Sequence, residues 1–332
     1  MNQNPVAKEI IDSLTTEGYA ILPLSIEDPR FWLKYCFDIA ARREFHLLMI
    51  KIFSNIDKIP IDIVENLKLI SYYLKGVPLI IGEKTRSEND EKGKLRENVV
   101  YERRGIPALN LNTFKTLIKN NKLFTISRKG GFFVKVDGDK IHQLRMKRGL
   151  SFQEVASQIG VSRKAAYLFE RMDMIKEENL LQLEKIFEES FKFSVDIFNW
   201  EIPKEEIHPT SEETEYQAEV KENLEDLGFN TFWAKKAPFD GITSEIEENT
   251  QKPEGLCLIT GLSPSIKRNL TEKIRIVSEI SKLAHKLSMF IIEEGKVPSF
   301  DNVLVLQKEN LDKMKSDEEL FKALKKVRRV NY

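Results

Sequence analysis

Apolar residues recur along this chain with two periods, near 3.6 and 2, and the switches between them mark its elements. Val6, Ile10, Ile11 and Leu14 fall at helical spacing and Gly18 follows, which predicts an opening helix stopped by glycine, and YAILPL then reads as a strand. CFDIAA and HLLMIKI predict two further strands. Ile63, Leu67, Ile70, Tyr73 and Leu74 mark an amphipathic helix that ends at Gly76, before the strand PLIIG. The polar run 83–98 reads as an exposed loop, followed by VVYERRGIPALN and the short helix TFKTLI, which closes an α/β unit. LFTIS and FFVKV flank Arg128-Lys129-Gly130-Gly131, whose paired glycines supply the positive φ of a tight hairpin. Helices dominate from Asp139 to about Phe191, and EIPKEEIHPTSEETE, acidic with two prolines, reads as a linker or a poorly packed connection. The expected domains are an α/β unit over 1–122, a hairpin plus helical domain over 123–200, a linker over 201–210 and a second α/β unit over 211–332.

The second α/β unit replays the order of the first. LTTEGYAIL near Gly18 matches LEDLGFNTF near Gly228, Phe37-Asp38 matches Phe239-Asp240, and LLMIKI matches LCLITG, each followed by a long amphipathic helix. Later, PLIIGE answers MFIIEE, and IPALNLNTFKTL answers DNVLVLQKENLDKM. Duplication is the expectation, with chance similarity between two ordinary α/β segments as its alternative.

The 332 residues leave room for two or three packed cores, and 41% hydrophobic with 31% charged residues is a globular balance, unlike a disordered, collagen-like or disulfide-stapled chain. No apolar run reaches the length of a membrane span, since FHLLMIKIF is interrupted by Lys51, and MNQNPVAKEIIDSL lacks the form of a signal peptide. A cytoplasmic protein without a membrane partner is expected. Cys36 and Cys257 with four scattered histidines make no zinc pattern, so reduced thiols, no structural metal and no cofactor are expected. Net charge is zero, yet it is segregated: residues 128–171 carry ten Lys/Arg against four Asp/Glu, net +6, while 1–127 carry net +3 and 172–332 net −9. A short basic module suits a polyanion, because phosphate neutralisation needs only local positive charge; a solvated face is the plainer reading of the same count.

The sharpest pattern lies in that module, in DKIHQLRMKRGLSFQEVASQIGVSRKAAYLFER. Ile141, Leu144, Val155, Ile159, Val161, Ala166 and Phe169 are spaced so that three short helices share one core. Ser151 with Glu154 forms a capping box, Ala156 is small where helices cross, Gly160 permits an abrupt left-handed turn, and Ser162 caps the next helix. Burying that core turns Ser162, Arg163, Lys164, Tyr167 and Leu168 outward. Arg163 or Lys164 suits guanine O6/N7, and Tyr167 a base edge or phosphate; Arg145, Lys147 and Arg148 suit flanking phosphates, with Gln153 and Arg171 completing the set. The segment resembles the Cro/C1-type helix-turn-helix family, whose members typically bind duplex DNA as dimers. Phe152 stands where that family often has a phosphate-contacting Gln, and Met172 replaces a frequent Gly. More widely, PLIIGEKT, VVYERRGIPALNL and RKGGFFVKVDG around the module resemble a family of archaeal proteins inferred to be transcriptional regulators.

The helix–strand–strand–strand–helix–strand order of both flanking units resembles in outline the restriction-endonuclease-like fold, in which an Asp and a following Glu-x-Lys hold Mg²⁺ and orient water. The resemblance implies Asp38 as the first carboxylate and Lys51 as the lysine, but Met49 stands at the Glu position, and a thioether is a poor ligand for a hard cation. In the second copy Asp240 remains while Leu258 and Thr260 stand at the two later positions. Both units are therefore expected to be catalytically silent, with a migrated carboxylate from Glu9, Glu17 or Glu65 as the loophole. GxxxxGK[ST], GxGxxG after a strand, GxSxG and HExxH are absent, Cys36 beside His46 is too weak for a nucleophile pair, and Trp32, Trp200 and Trp233 suit packing better than base stacking.

The fold class expected is α/β plus all-α: a central Cro/C1-type helix-turn-helix bundle between two α/β units that repeat a degenerate restriction-endonuclease-like core. The function expected is a non-enzymatic transcriptional regulator that binds double-stranded DNA as a homodimer, with no effector identifiable. A metal-dependent nuclease guided by the helix-turn-helix and an antitoxin-like interaction scaffold are the alternatives.

Overall fold

A strand that is apolar on both faces must be covered on both, and HLLMIKI, an inner strand with a hydrogen-bonded neighbour along each edge, is buried along nearly its whole length. The computed structural model describes residues 5–24, 34–86, 93–209, 212–246, 256–264, 270–293, 295, 300 and 302–328; Trp32 lies outside them. In chain order the elements are α1 (Pro5–Thr16), β1 (Ala20–Pro23), β2 (Ile39–Arg43), β3 (His46–Ile52), α2 (Ile61–Leu74), β4 (Gly76–Ile81), β5 (Val99–Arg103), β6 (Ile106–Leu109) and α3 (Leu111–Ile118). Then follow β7 (Thr125–Arg128), β8 (Gly131–Val136), α4 (Gly138–Lys147), α5 (Phe152–Ile159), α6 (Arg163–Phe169), β9 (Met174–Lys176), α7 (Glu177–Phe187) and β10 (Lys192–Phe193). The remainder holds α8 (Glu215–Asp226), β11 (Phe229–Trp233), β12 (Gly241–Glu245), β13 (Cys257–Ser263), α9 (Leu270–Ala284), β14 (Leu287–Ile292), β15 (Val303–Gln307), α10 (Lys308–Asp312) and α11 (Asp317–Arg328). Among the described residues no helix is long and apolar enough to cross a membrane.

These elements form two units, one from the described residues of 1–52, 59–79 and 201–332, the other from those of 53–58 and 80–200. This grouping differs from the domain order expected along the chain. Ile80 and Ile81, the end of β4, pair with β6, and β5 pairs in parallel with β7, so the 80–122 segment joins the sheet that carries the hairpin.

The first unit contains two similar cores. One runs β1-β2-β3-β4, the other β11-β12-β13-β14-β15, and each begins with a helix and places a long helix, α2 or α9, before its fourth strand. Registers agree: Ile39 faces Ile50 in one and Gly241 faces Thr260 in the other. Each long helix, while packed on its own core, also reaches the other. Tyr73 of α2 stacks on Phe232 of β11 with ring centroids 4.8 Å apart, and Cys257 donates to the Tyr73 carbonyl at 3.5 Å. In return α9 packs on β1 and β2, where Arg42 donates to the Leu283 carbonyl at 3.3 Å. The Cys36 amide donates to the Lys236 carbonyl at 2.6 Å, and the Lys236 amide to Asn66 Oδ1 at 3.3 Å.

Two local expectations change here. The stop of α2 is Lys75, in the left-handed region at φ 54°, while Gly76 opens β4, where an added Cβ would lie 3.1 Å from the Met49 sulfur. The segment expected as a linker is tied down: Ile202 is buried, and Glu206 pairs with Lys68 of α2 at 2.5 Å, giving that largely buried ammonium its counter-charge.

In the second unit, α4, α5 and α6 share a core with β8, β9 and α7, built from Ile141, Val155, Ala156, Ala166, Phe169, Ile175, Leu180, Leu183 and Phe187, with Leu144, Ile159 and Val161 half-buried against it. β9 and β10, three and two residues long, both pair with β8, the first inside the stretch expected to be helical and the second just after it. Gly138 opens α4 against the end of α6: a Cβ there would lie 2.6 Å from the Glu170 carbonyl oxygen. Across the same junction Arg145 grips Glu170 through Nε and, at 3.1 Å, through Nη2, and donates to the Leu150 carbonyl at 3.0 Å. Arg145, expected to face outward, is thus 7% exposed and committed, because it follows Ile141 by one helical turn on the inner face of α4. Burial pushes the Glu170 carboxyl up, but hydrogen bonds from Arg145 and His142 outweigh it and hold the group below the usual glutamate range.

Arg145→Ala should cost about 3–5 kcal/mol in urea unfolding, since it strands a buried carboxylate. The stabilisation due to Glu170 is present above the ordinary glutamate pKa of 4.5 and is lost as pH falls through its lowered value, so Glu170→Gln should flatten the acid side of the stability profile.

Candidate functional site

The exposed face of α6 is fixed by its caps. Ser151 Oγ accepts the Glu154 amide at 3.2 Å while Glu154 accepts the Ser151 amide at 2.7 Å, which starts α5; Gly160 at φ 83° ends it. Ser162 Oγ then accepts the Ala165 amide at 3.1 Å, so α6 opens at Arg163. With Ala166 and Phe169 buried, Ser162, Arg163, Lys164 and Tyr167 are exposed and Leu168 is half-buried. Among the described residues neither Arg163 nor Lys164 makes an ion pair, so their charge is directed at solvent.

The other expected residues divide. Lys147 and Gln153 are exposed. Arg148 is exposed but occupied: it donates to the Ile186 carbonyl and, at 2.8 Å, to that of Phe187, capping the C-terminal end of α7. Arg171 lies over the Tyr167 ring at 3.8 Å. Phe152, noted in the sequence only as a departure, meets Tyr167 edge to face at 5.4 Å and lies under the Arg145 guanidinium at 4.0 Å. Such ring–ring and cation–ring contacts are worth about 0.5–1.5 kcal/mol each. No spacing rule would find this stack, because it joins three helices.

A second candidate centre lies in the first unit. Asp38, just before β2, accepts from Lys51 Nζ at 3.0 Å on one oxygen and from the Ile52 amide at 2.7 Å on the other, and Lys51 also donates to the Tyr35 carbonyl at 2.9 Å. Both side chains are buried, and burial raises the Asp38 carboxyl against the lowering effects of Lys51 and the Ile52 amide. Met49 is buried beside them, its sulfur 3.4 Å from Ser71 Oγ. A divalent cation needs several oxygen ligands; one carboxylate already engaged by an ammonium and an amide, next to a thioether, does not fit one. Among the described residues no group of three or more His, Cys, Asp or Glu side chains could hold a metal ion.

The second core repeats the frame without the lysine. The Asp240 amide donates to the Thr260 carbonyl at 3.0 Å and its carboxylate accepts the Leu262 amide at 2.7 Å, as Asp38 does with Ile50 and Ile52. These bonds place Ile259 and Gly261, not Leu258 and Thr260, at the positions of Met49 and Lys51, a one-residue shift from the sequence alignment. A Cβ on Gly261 would lie 2.3 Å from the Phe290 ring, which fills the space that Lys51 takes in the first core. Elsewhere Cys36 is buried and burial raises its thiol, the reverse of an activated thiolate. Trp233 is buried and Trp200 Nε1 donates to the Gly105 carbonyl at 2.9 Å, both packing roles.

Residues 3–123 match the PD-(D/E)XK superfamily domain. Over its whole length the chain is similar to archaeal proteins that carry the name "Putative HTH-type transcriptional regulatory protein". One from Thermococcus kodakarensis is 32% identical over 99% of this chain and 98% of its own. One from Methanocaldococcus jannaschii is 33% identical over 89% of this chain and 90% of its own, and one from Methanosarcina acetivorans is 27% identical over 100% and 99%. No solved structure matches. At that identity across nearly the full length, with a PD-(D/E)XK domain at one end and capped short helices in the middle, the chain belongs to this family of archaeal HTH-type transcriptional regulatory proteins.

Proposed function

We propose that the protein is a DNA-binding transcriptional regulator in which α4, α5 and α6 form a Cro/C1-type helix-turn-helix and α6 reads the major groove of duplex DNA. The observation that carries the reading is the pair of exposed, unpaired cations Arg163 and Lys164 at the start of a helix whose opposite face is buried. The names of the relatives support it. Arg163 and Lys164 suit guanine edges, Ser162, Tyr167 and Leu168 line the same face, and Lys147 and Gln153 lie beside it for phosphate contact. Arg145 leaves the contact set, since it is held by Glu170, and Arg148 is held by the end of α7. As a homodimer the protein would read half-sites about 34 Å apart or a multiple of that. Its place is then with the DNA, in the cytoplasm.

The nuclease-type cores act in this reading as a folded platform without cleavage, because buried Met49 stands where the motif needs its second carboxylate, and Phe290 crowds the place near Asp240 that corresponds to Lys51. A nuclease is the second reading, and the PD-(D/E)XK match is what favours it.

Arg163→Ala with Lys164→Ala should abolish selective retardation of duplex DNA in a gel and reduce the slope of log affinity against log salt by about one for each phosphate contact removed. Unchanged sequence preference would mean that another face binds. Plasmid incubated with Mg²⁺ or Mn²⁺ should stay supercoiled, whereas cleavage that disappears in Asp38→Ala would establish the nuclease reading.

A further inference from the structure

Four side chains link the interior of the helical module to its exposed face. Arg145 is immobilised by Glu170 and by the Leu150 carbonyl, and its guanidinium carbon lies 4.0 Å from the centre of the Phe152 ring. Phe152 meets Tyr167 at 5.4 Å with the ring planes 68° apart, and Arg171 lies 3.8 Å from the Tyr167 centroid. Tyr167 is therefore flanked by two groups that fix its ring, one of them anchored to a buried ion pair. It remains 41% exposed, one turn along α6 from Arg163 and Lys164, and its hydroxyl makes no hydrogen bond among the described residues.

We infer that Phe152 is a positioning residue for DNA recognition. It locks the Tyr167 ring against Arg171, so that the hydroxyl meets a base edge as a pre-set donor and acceptor, while Arg171 serves as a clamp on that ring. The inference rests on the reading of α6 as a recognition helix. A phenol has two side-chain torsions, and holding both before contact removes most of the ordering cost of binding, which is where a packed aromatic on the neighbouring helix gains its effect. The location favours a base edge over phosphate, because residues in the first turns of a helix lying in the major groove are those that reach base edges. Phe152, at the first position of α5, gives up a polar contact of its own and supports one made by Tyr167.

The test uses the full chain, a duplex enriched from a random-sequence library and a scrambled duplex of the same length, with thermal unfolding recorded for each variant. Tyr167→Phe keeps the stack and should lose about tenfold in affinity for the enriched duplex with little change for the scrambled one. Phe152→Leu should show the same selective loss, Phe152→Tyr should restore binding, and the Phe152→Leu/Tyr167→Phe pair should be no worse than Tyr167→Phe alone. Additive losses, equal losses on both duplexes, or a Phe152→Leu protein that discriminates like the wild type would each overturn the inference while leaving the helix-turn-helix reading in place. A wild-type protein that fails to distinguish the two duplexes would contradict that reading, and the inference with it.

Discussion

The helical module depends on one buried charge. Glu170 sits at the end of α6 with its side chain 3% exposed, and a carboxylate in that position must be neutralised within the protein or it destabilises the fold. Arg145 supplies the neutralisation from α4, His142 adds a contact at 2.8 Å, and Gly138 allows the backbones to come together. That junction holds the end of α6 against the start of α4.

The same rule acts at Asp38, with the opposite consequence for chemistry. A carboxylate at the head of β2 is the kind of group around which a nuclease centre can be built, but here its counter-charge is Lys51, held at 3.0 Å with the ammonium also bound to a backbone carbonyl. An ion pair of this kind satisfies the buried charge without a metal. The second core has the amide bond without the lysine: among the described residues Asp240 accepts from the Leu262 amide, with Lys273 more distant, and Phe290 occupies the position that corresponds to Lys51. The two cores share the backbone hydrogen bonds that hold the Asp in place, Asp38 to Ile50 and Ile52, Asp240 to Thr260 and Leu262. They differ in the side chains that would make it reactive.

How much of this was legible in the sequence follows from how local each signal is. The capping box at Ser151, the left-handed Gly160 and the Ser162 cap are decided within four residues, and all three stand where the pattern put them. The glycine hairpin at Gly130-Gly131 is equally local. Arg145 was placed on the wrong face because its letter suggests surface, whereas its partner is 25 positions away. The alignment of LLMIKI with LCLITG matched letters, and a strand hides a slip of one residue until the hydrogen bonds of Asp240 reveal the register. The grouping of 80–122 with the hairpin depends on parallel pairing between β5 and β7, a non-local contact that no window of sequence contains. The Phe152–Tyr167 contact was invisible for the same reason, though the departure at Phe152 marked the position.

The central claim is that the outer face of α6 selects DNA sequence. Sequencing the DNA that copurifies with the intact chain after cross-linking in cells, alongside the Arg163→Ala/Lys164→Ala chain at equal abundance, tests it most directly. The account predicts a set of discrete sites sharing one motif for the wild type and their loss in the variant. The same sites recovered with both proteins, or no enrichment with either, would contradict it.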